Sequence, residues 1–418
     1  MHAQVLLAAV RISDDHMHGA DKALERAQAA WELIRDTDAA ASLKAVCLGW
    51  TAEFLRESGA IDEAVRTFDQ SVAWAADLPA TRCVTQALFG RALLHSGIQA
   101  ARARHLLDEA LATAQHSGSL RGEWLARLTL AWDAGMRGER GECEAVLAPL
   151  RVLADQLHPV VATSVLADAA RELVGVGSVE LAREYAAASM EAATRSGQVE
   201  AVVESSFTRG TVAAALGDMV TAEREWTVSA EVAARQARPV YAMLARYRLA
   251  WLMEERGDVV GERRMLEEAK PFALRVGGMP RMVWFAYYGD ALLKAGDGAG
   301  ARAHLRKAIE LTREQRHDLL EGALLTTLAD VCFERGRFDD AVRVWALCHA
   351  TASFAQMRAS GSTMSFRRRQ RRIAELESMF SPGEYAALEK EGRGWTLDDL
   401  DAVVDDLTTE PEREFPTN

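Results

Sequence analysis

Proline and strand-like alternation are scarce in this chain. Its 418 residues include only nine prolines, and valine and isoleucine rarely alternate with polar residues, so strands have almost no support. Long apolar runs are missing as well. No stretch approaches about 18 uncharged apolar residues, which excludes a helical membrane span. The opening MHAQVLLAAVRISDD is too short, and too soon charged, for a secretory signal. Cysteine is sparse: Cys47, Cys83, Cys143, Cys332 and Cys348 are scattered, odd in number and form no CxxC, which reads as a reduced cytoplasmic protein. A basic surplus is absent too. The net charge of −12 argues against a general nucleic-acid binder, because phosphate contacts need a basic surface, although a local basic patch is compatible with it.

Signatures of catalysis are also lacking. No HExxH, GxSxG or kinase motif occurs, so neither an enzyme nor a cofactor is expected. Gly296-Asp297-Gly298-Ala299-Gly300 has the look of a dinucleotide loop, but no strand precedes it. Asp14-Asp15-His16-Met17-His18 offers metal-ligand types, yet its place beside a turn reads as a solvated loop. Cys348-His349 falls at a small core position, which weighs against catalytic use.

What the chain has is a period. Glycine returns at Gly19, Gly59, Gly97, Gly138, Gly177, Gly217, Gly257, Gly296 and Gly336, with gaps of 40, 38, 41, 39, 40, 40, 39 and 40 residues. One supersecondary unit is copied and stacked, and each copy buries its apolar face on its neighbours. The stretch Arg238 to Leu274 shows the plan. A first helical run ends near Glu255-Arg256, Gly257 supplies the positive φ of a tight turn, and Asp258 caps a second run that packs back. Pro79, Pro159, Pro239 and Pro280 mark the far turns where one hairpin ends and the next begins. Hydrophobic content of 49%, rich in alanine and leucine, suits this helical core.

Alignment on the glycines exposes a size pattern. Seven residues before stand Ala52, Gly90, Ala131, Ala170, Gly210, Ala250, Gly289 and Ala329. Five after, alanine recurs at Ala64, Ala182, Ala222, Ala301 and Ala341. Nine after come large apolar residues, Phe68, Leu106, Leu147, Trp226, Leu266, Leu305 and Trp345; twelve after, small ones return at Ser71, Ser189, Ser229, Ala269, Ala308 and Cys348. Small residues at fixed places let helices approach, and the large one fills the gap opposite.

This pattern resembles the tetratricopeptide repeat, over roughly residues 15 to 358. The family unit is about 34 residues and these run longer, which leaves HEAT-like or armadillo-like stacking as the alternative. The resemblance implies an all-α, right-handed superhelical solenoid of about eight to nine helix-turn-helix repeats with a C-terminal helical cap. It also implies a concave groove lined by the first helices, whose inward positions fall ten and six residues before each glycine.

On that implication, the partner-binding candidates are Arg91, Trp132, Arg171, Phe207, Tyr247, Trp251, Asp290 and Asp330. Phe207, Tyr247 and Trp251 would form an aromatic floor, with arginines toward one end and aspartates toward the other to orient a peptide. The competing reading places the tryptophans in the core. Trp284, Phe285, Tyr287 and Tyr288 run consecutively round a helix, so at least two are expected to be buried. The lysines and asparagines that clamp a C-terminal carboxylate in some tetratricopeptide arrays are missing from both rows.

The expected organisation is an array over 1–358 that starts within a repeat, capping helices over 359–408, and a disordered acidic tail over 409–418. Gln4 to Arg11 reads as the tail of a first helix without a polar cap before it, as if residue 1 were an internal point of a longer regulator. After Gly361 comes a basic amphipathic helix with Arg367, Arg368, Arg371 and Arg372. Those arginines offer a contact for nucleic acid or an acidic partner; the plainer reading is a solvated face that complements the acidic end, Asp398 to Asp406. Glu391, Gly392, Arg393, Leu397, Asp398 and Asp399 resemble the "EGRxLSLDEA" end of the helical sensor region in LuxR- and SARP-type bacterial regulators built on signal-transduction ATPases. Neither the ATPase phosphate loop GxxxxGK[ST] nor a helix-turn-helix candidate is found, so the resemblance implies a sensor part alone. Together these features predict a cytoplasmic protein-, peptide- or effector-binding module of signalling or transcriptional control. The alternatives are a DNA-associated regulator acting through the arginine helix and a self-assembling scaffold.

Overall fold

The computed structural model describes residues 20–37, 39–57, 60–276, 278–315, 318–350 and 363–409. Among them every regular element is an α-helix. The residues before Ala20, which include Asp14–His18 and the expected half-repeat, and the tail after Thr409 lie outside the described set.

Two compact units divide after Tyr241. The first holds α1 (Ala20–Ile34), α2 (Ala41–Glu57), α3 (Ile61–Trp74), α4 (Pro79–His95), α5 (Ala100–Ser117), α6 (Leu120–Arg137), α7 (Arg140–Leu147), α8 (Leu150–Ala154), α9 (Pro159–Gly175), α10 (Val179–Ser196), α11 (Val199–Ala215) and α12 (Met219–Arg235). The boundary falls inside α13 (Pro239–Glu255). Beyond it come α14 (Val259–Val276), α15 (Gly278–Lys294), α16 (Gly298–Gln315), α17 (Asp318–Glu334) and α18 (Phe338–Ala350), then α19 (Thr363–Met379), α20 (Pro382–Gly392) and α21 (Asp399–Thr409).

Within each unit, neighbours in sequence are neighbours in space. Helices pack as hairpins such as α4 with α5, α9 with α10 and α15 with α16, and first helices also touch the first helix of the next pair. The turns follow from local chemistry. The seven repeat glycines from Gly97 to Gly336 that fall in the described set all take φ between 66° and 85°, a region costly for residues with a Cβ. Asp218, Asp258 and Asp297 then accept from the backbone N–H three residues on, at 3.0, 2.8 and 2.8 Å.

The size pattern is a packing pattern. A Cβ on Gly90 would stand 2.7 Å from Leu107, one on Gly210 2.6 Å from Trp226, and one on Gly289 2.9 Å from Leu305. The first of these corrects the register read from sequence. Gln99 sits in the left-handed region (φ 49°) and delays α5 by one residue, so the buried filler is Leu107 rather than Leu106, and the buried alanine is Ala103. The small serines have a further duty. Ser71, Ser189 and Ser229 each donate to a carbonyl 26 residues earlier, on Ala45, Thr163 and Val203, at 2.7, 3.0 and 3.0 Å.

The cap closes the second unit. Leu376 of α19 and Leu400, Val403, Val404 and Leu407 of α21 join the core built by α15 to α18. Close backbone approach explains two glycine-rich strings. A Cβ on Gly298 would meet the Thr408 carbonyl at 2.6 Å, and one on Gly392 the Arg343 backbone. The Gly296–Gly300 string is therefore a turn, a capped helix start and a docking point for α21. Glu391 pairs with Arg343 at 3.1 Å and Arg393 with Glu389 at 2.7 Å, so this stretch is bound up in seating α20.

Among the described residues the acidic end pairs outside the arginine helix, where the sequence reading expected it to complement those arginines. Asp398 and Asp401 pair with Arg313 at 2.9 and 2.8 Å, Asp405 with Arg306 at 2.6 Å, and Asp406 with Arg337 at 2.9 Å. Packing of α21 on α16 carries its aspartates to the arginines of α16 and of the turn before α18.

Candidate functional site

The first helices contribute the candidate residues in both units. Apolar residues of these helices fill the core, and Arg91, Trp132, Arg171, Trp251, Asp290 and Asp330 on them are half-buried.

In the first unit the charged candidates are engaged by their own chain. Arg91 reaches Glu53 at 3.1 Å, and Arg56 reaches the same carboxyl at 3.1 Å. Burial would raise Glu53; the Arg91 and Arg56 guanidiniums outweigh it and hold the carboxyl at about 2. Arg171 pairs with Asp168, donates to Thr208 Oγ1 at 2.8 Å and lies 3.6 Å from Glu204. Trp132 is half-buried and meets His95 edge-on, with ring centroids 4.6 Å apart. Phe207 is only 6% exposed and packs edge-on against Tyr241 at 5.7 Å.

In the second unit Tyr247 is 8% exposed and packs edge-on against Tyr287 at 5.8 Å, whereas Trp251 is half-buried. Two of the three residues of the expected aromatic floor are thus largely core. Of the consecutive aromatics, Trp284 is buried and donates its indole N–H to the Leu266 carbonyl at 2.8 Å. Phe285 and Tyr288 are half-buried, and Tyr287 is exposed.

Asp290 and Asp330 belong to a larger constellation. The Lys294 ammonium lies 2.8 Å from Asp290, 2.8 Å from Glu254, 3.4 Å from Glu262 and 3.7 Å from Glu334. Arg372 of α19 reaches Asp330 at 2.7 Å and also pairs with Glu334. Five carboxylates from α13, α14, α15 and α17 therefore face two cations. Burial pushes Glu262 up to about 8 against the pull of Lys294, and Asp290 up to about 6 in the same way. Oxygens of Glu254, Asp290 and Glu334 fall within 4.8 Å of one another, the spacing of metal ligands, but Lys294 already puts its own positive charge among them.

The arginine helix divides. Arg372 is buried against α17, and Arg371 is exposed; the side chains of Arg367 and Arg368 lie outside the described set. All five cysteines are buried and none is in a disulfide.

Sequence reasoning missed Lys294 and its ring of Glu254, Glu262 and Glu334. One signal was available. Position five after the turn glycine is alanine in five repeats and Cys143 in another, yet in the Gly257 repeat it is Glu262, 5% exposed. A carboxylate in a slot sized for a methyl group marks a departure from the packing rule.

No family model matches the chain, and no curated protein matches it. Among solved structures it is similar to the TPR domain of P58(IPK), at 14% identity over 90% of this chain and 97% of that one, with a TM-score of 0.22. It is similar also to yeast Tom70, at 11% identity over 88% and 96% of the two chains and a TM-score of 0.22. A circular tandem repeat protein with novel repeat topology and enhanced subunit contact surfaces gives 14% identity, coverage of 90% and 92%, and a TM-score of 0.22. Likeness at this level carries no argument of its own. The chain is a tetratricopeptide-like helical repeat by its own period, turn glycines and consecutive helix pairing. No described helix is long and apolar enough to cross a membrane.

Proposed function

We propose that this chain is a non-enzymatic, cytoplasmic binding module that takes a protein or peptide along the rows lined by its first helices. The observation that carries this reading is the set of half-buried polar and aromatic side chains six residues before the turn glycines. Arg91, Trp132 and Arg171 stand so in the first unit, and Trp251, Asp290 and Asp330 in the second, at a position where a purely architectural repeat needs only apolar filler. Phe207 and Tyr247, which are 6% and 8% exposed, belong to the core of the same helices. The Glu391–Asp399 resemblance to LuxR- and SARP-type sensor regions supports a place in bacterial signalling or transcriptional control. Capture of partners from the source cell by the immobilised chain tests the reading. Trp132→Ala combined with Trp251→Ala is expected to abolish capture while far-ultraviolet circular dichroism is unchanged. Equal capture by the variant would remove the row from the binding surface.

A further inference from the structure

We infer that Arg248 of α13 is the subsite for an internal aspartate or glutamate side chain of a bound peptide; this rests on the binding reading above and names the partner's chemistry at one position. Arg248 stands nine residues before Gly257, between Tyr247 and Trp251 of the candidate rows. At the same offset the other repeats from Gly59 onward carry Trp50, Leu88, Thr129, Asp168, Thr208, Tyr287 and Thr327. A cation at this place is peculiar to one repeat, so the stacking of helices does not call for it.

What sets Arg248 apart is the lack of a counter-ion. It is half-buried, yet among the described residues it makes no ion pair and no hydrogen bond. The other cations of the candidate region are served: Arg91 by Glu53, Arg171 by Asp168, and Lys294 by Asp290 and Glu254. Arg246, two positions away on the same helix, has Glu268 at 3.6 Å. A half-desolvated guanidinium without a counter-charge is unfavourable in the free chain, and an anion supplied from outside relieves it. The electrostatics agree. Burial pulls Arg248 below the ordinary arginine value, and the Tyr287 phenol pulls the other way. Arginine keeps its proton at neutral pH, so the charge persists.

The surroundings suit a carboxylate. Tyr287 is 38% exposed, and Trp251 follows Arg248 by one turn of α13 and is half-buried. The guanidinium is therefore reachable and lies near aromatic rings, whose low polarity strengthens a charge pair formed beside them. Its planar fork can engage both oxygens of a carboxylate. A nucleic-acid backbone is the weaker fit, because the chain carries −12 and no second cation occurs at this offset. The candidate positions continue to Asp290 and Asp330, so a peptide that follows them does not end at Arg248. That favours a side-chain carboxylate over a C-terminal one.

The test pans the full chain against a displayed library of random peptides and measures the winners by anisotropy, labelled with fluorescein and amidated at the C-terminus. The winners are expected to share one internal acidic residue, and its replacement by the matching amide is expected to weaken binding about tenfold. Arg248→Gln is expected to lose the same factor for the acidic peptide and nothing for the amide version, which also shows that the variant is folded. The melting temperature of free Arg248→Gln is expected to be unchanged or higher, since the variant removes a charge that has no partner. Winners without a shared acid, equal affinity of Arg248→Gln, or binding that requires a free C-terminal carboxylate would each overturn the assignment. A fall in melting temperature with no loss of affinity would make Arg248 a structural residue. If no acidic winner emerges while the tryptophan pair still governs capture from the cell, the chemistry at Arg248 is wrong and the binding rows stand. If no winner emerges and capture ignores the tryptophans, the rows themselves are wrong.

Discussion

A methyl group placed on Gly210 would stand 2.6 Å from Cδ1 of Trp226, a residue 1% exposed. Two effects oppose each other in Gly210→Ala. Alanine favours a helix interior by about 1 kcal/mol over glycine, whereas overpacking a filled interface costs about 1–3 kcal/mol. We expect overpacking to prevail and the variant to lose about 1 kcal/mol in urea denaturation. Gly141→Ala is the control, since nothing lies within 4 Å of the added carbon; it is expected to be neutral or stabilising. Equal shifts in the two variants would show that size at Gly210 does not matter.

The carboxylate row makes stability depend on pH. Burial raises Glu262 to about 8, with Lys294 opposing and Asp290 and Glu254 adding to the rise. In the unfolded chain the same group titrates near 4.5, so between these values the folded state holds a proton that the unfolded state has lost. The stabilisation is complete below 4.5 and disappears as pH rises through about 8. Denaturation midpoints are therefore expected to fall from about pH 5 to about pH 9, by at most about 1.4 kcal/mol per unit for one proton. Glu262→Ala flattens that slope. A slope identical to that of the parent would exclude Glu262 as its source.

The hydroxyl of Ser229 ties α12 to the Val203 carbonyl of α11 at 3.0 Å, and Ser189 does the same for Thr163. Ser229→Ala keeps the small volume and removes the bond. A loss of about 0.5–1.5 kcal/mol is expected, and the loss from Ser189→Ala should add to it because the sites share no partner. Alanine as stable as serine would reduce these hydroxyls to spacers.

Gln99 carries a left-handed backbone at the start of α5. Glycine relieves that strain at some cost in unfolded-state entropy, so Gln99→Gly is expected to raise stability by about 0.5 kcal/mol. A fall in melting temperature would mean that the glutamine side chain contributes more than its backbone costs; its Oε1 accepts from Arg102 at 3.1 Å.

The turns and hairpins were legible because each depends on a few neighbouring residues. Gly257 and Asp258 carry their own geometry, and the alanine and leucine registers follow from helical periodicity. Leu106 was mistaken for Leu107 because a single left-handed residue shifts the phase of α5, and periodicity does not report backbone sign. The candidate site was legible only in part. Asp290 and Asp330 emerged from the repeat register, but their partners, Lys294 and Arg372, depend on side-chain reach across α15, α17 and α19. Phe207 and Tyr247 look the same in sequence whether they line a groove or fill the space beneath one.

All five thiols are sealed inside helix interfaces, and burial pushes those of Cys47 and Cys143 up to about 12. The native chain should therefore be almost inert to maleimides. A cysteine introduced at Val220 or Val260, which are 78% and 79% exposed at equivalent points of successive repeats, would then be a single addressable handle for attaching a dye.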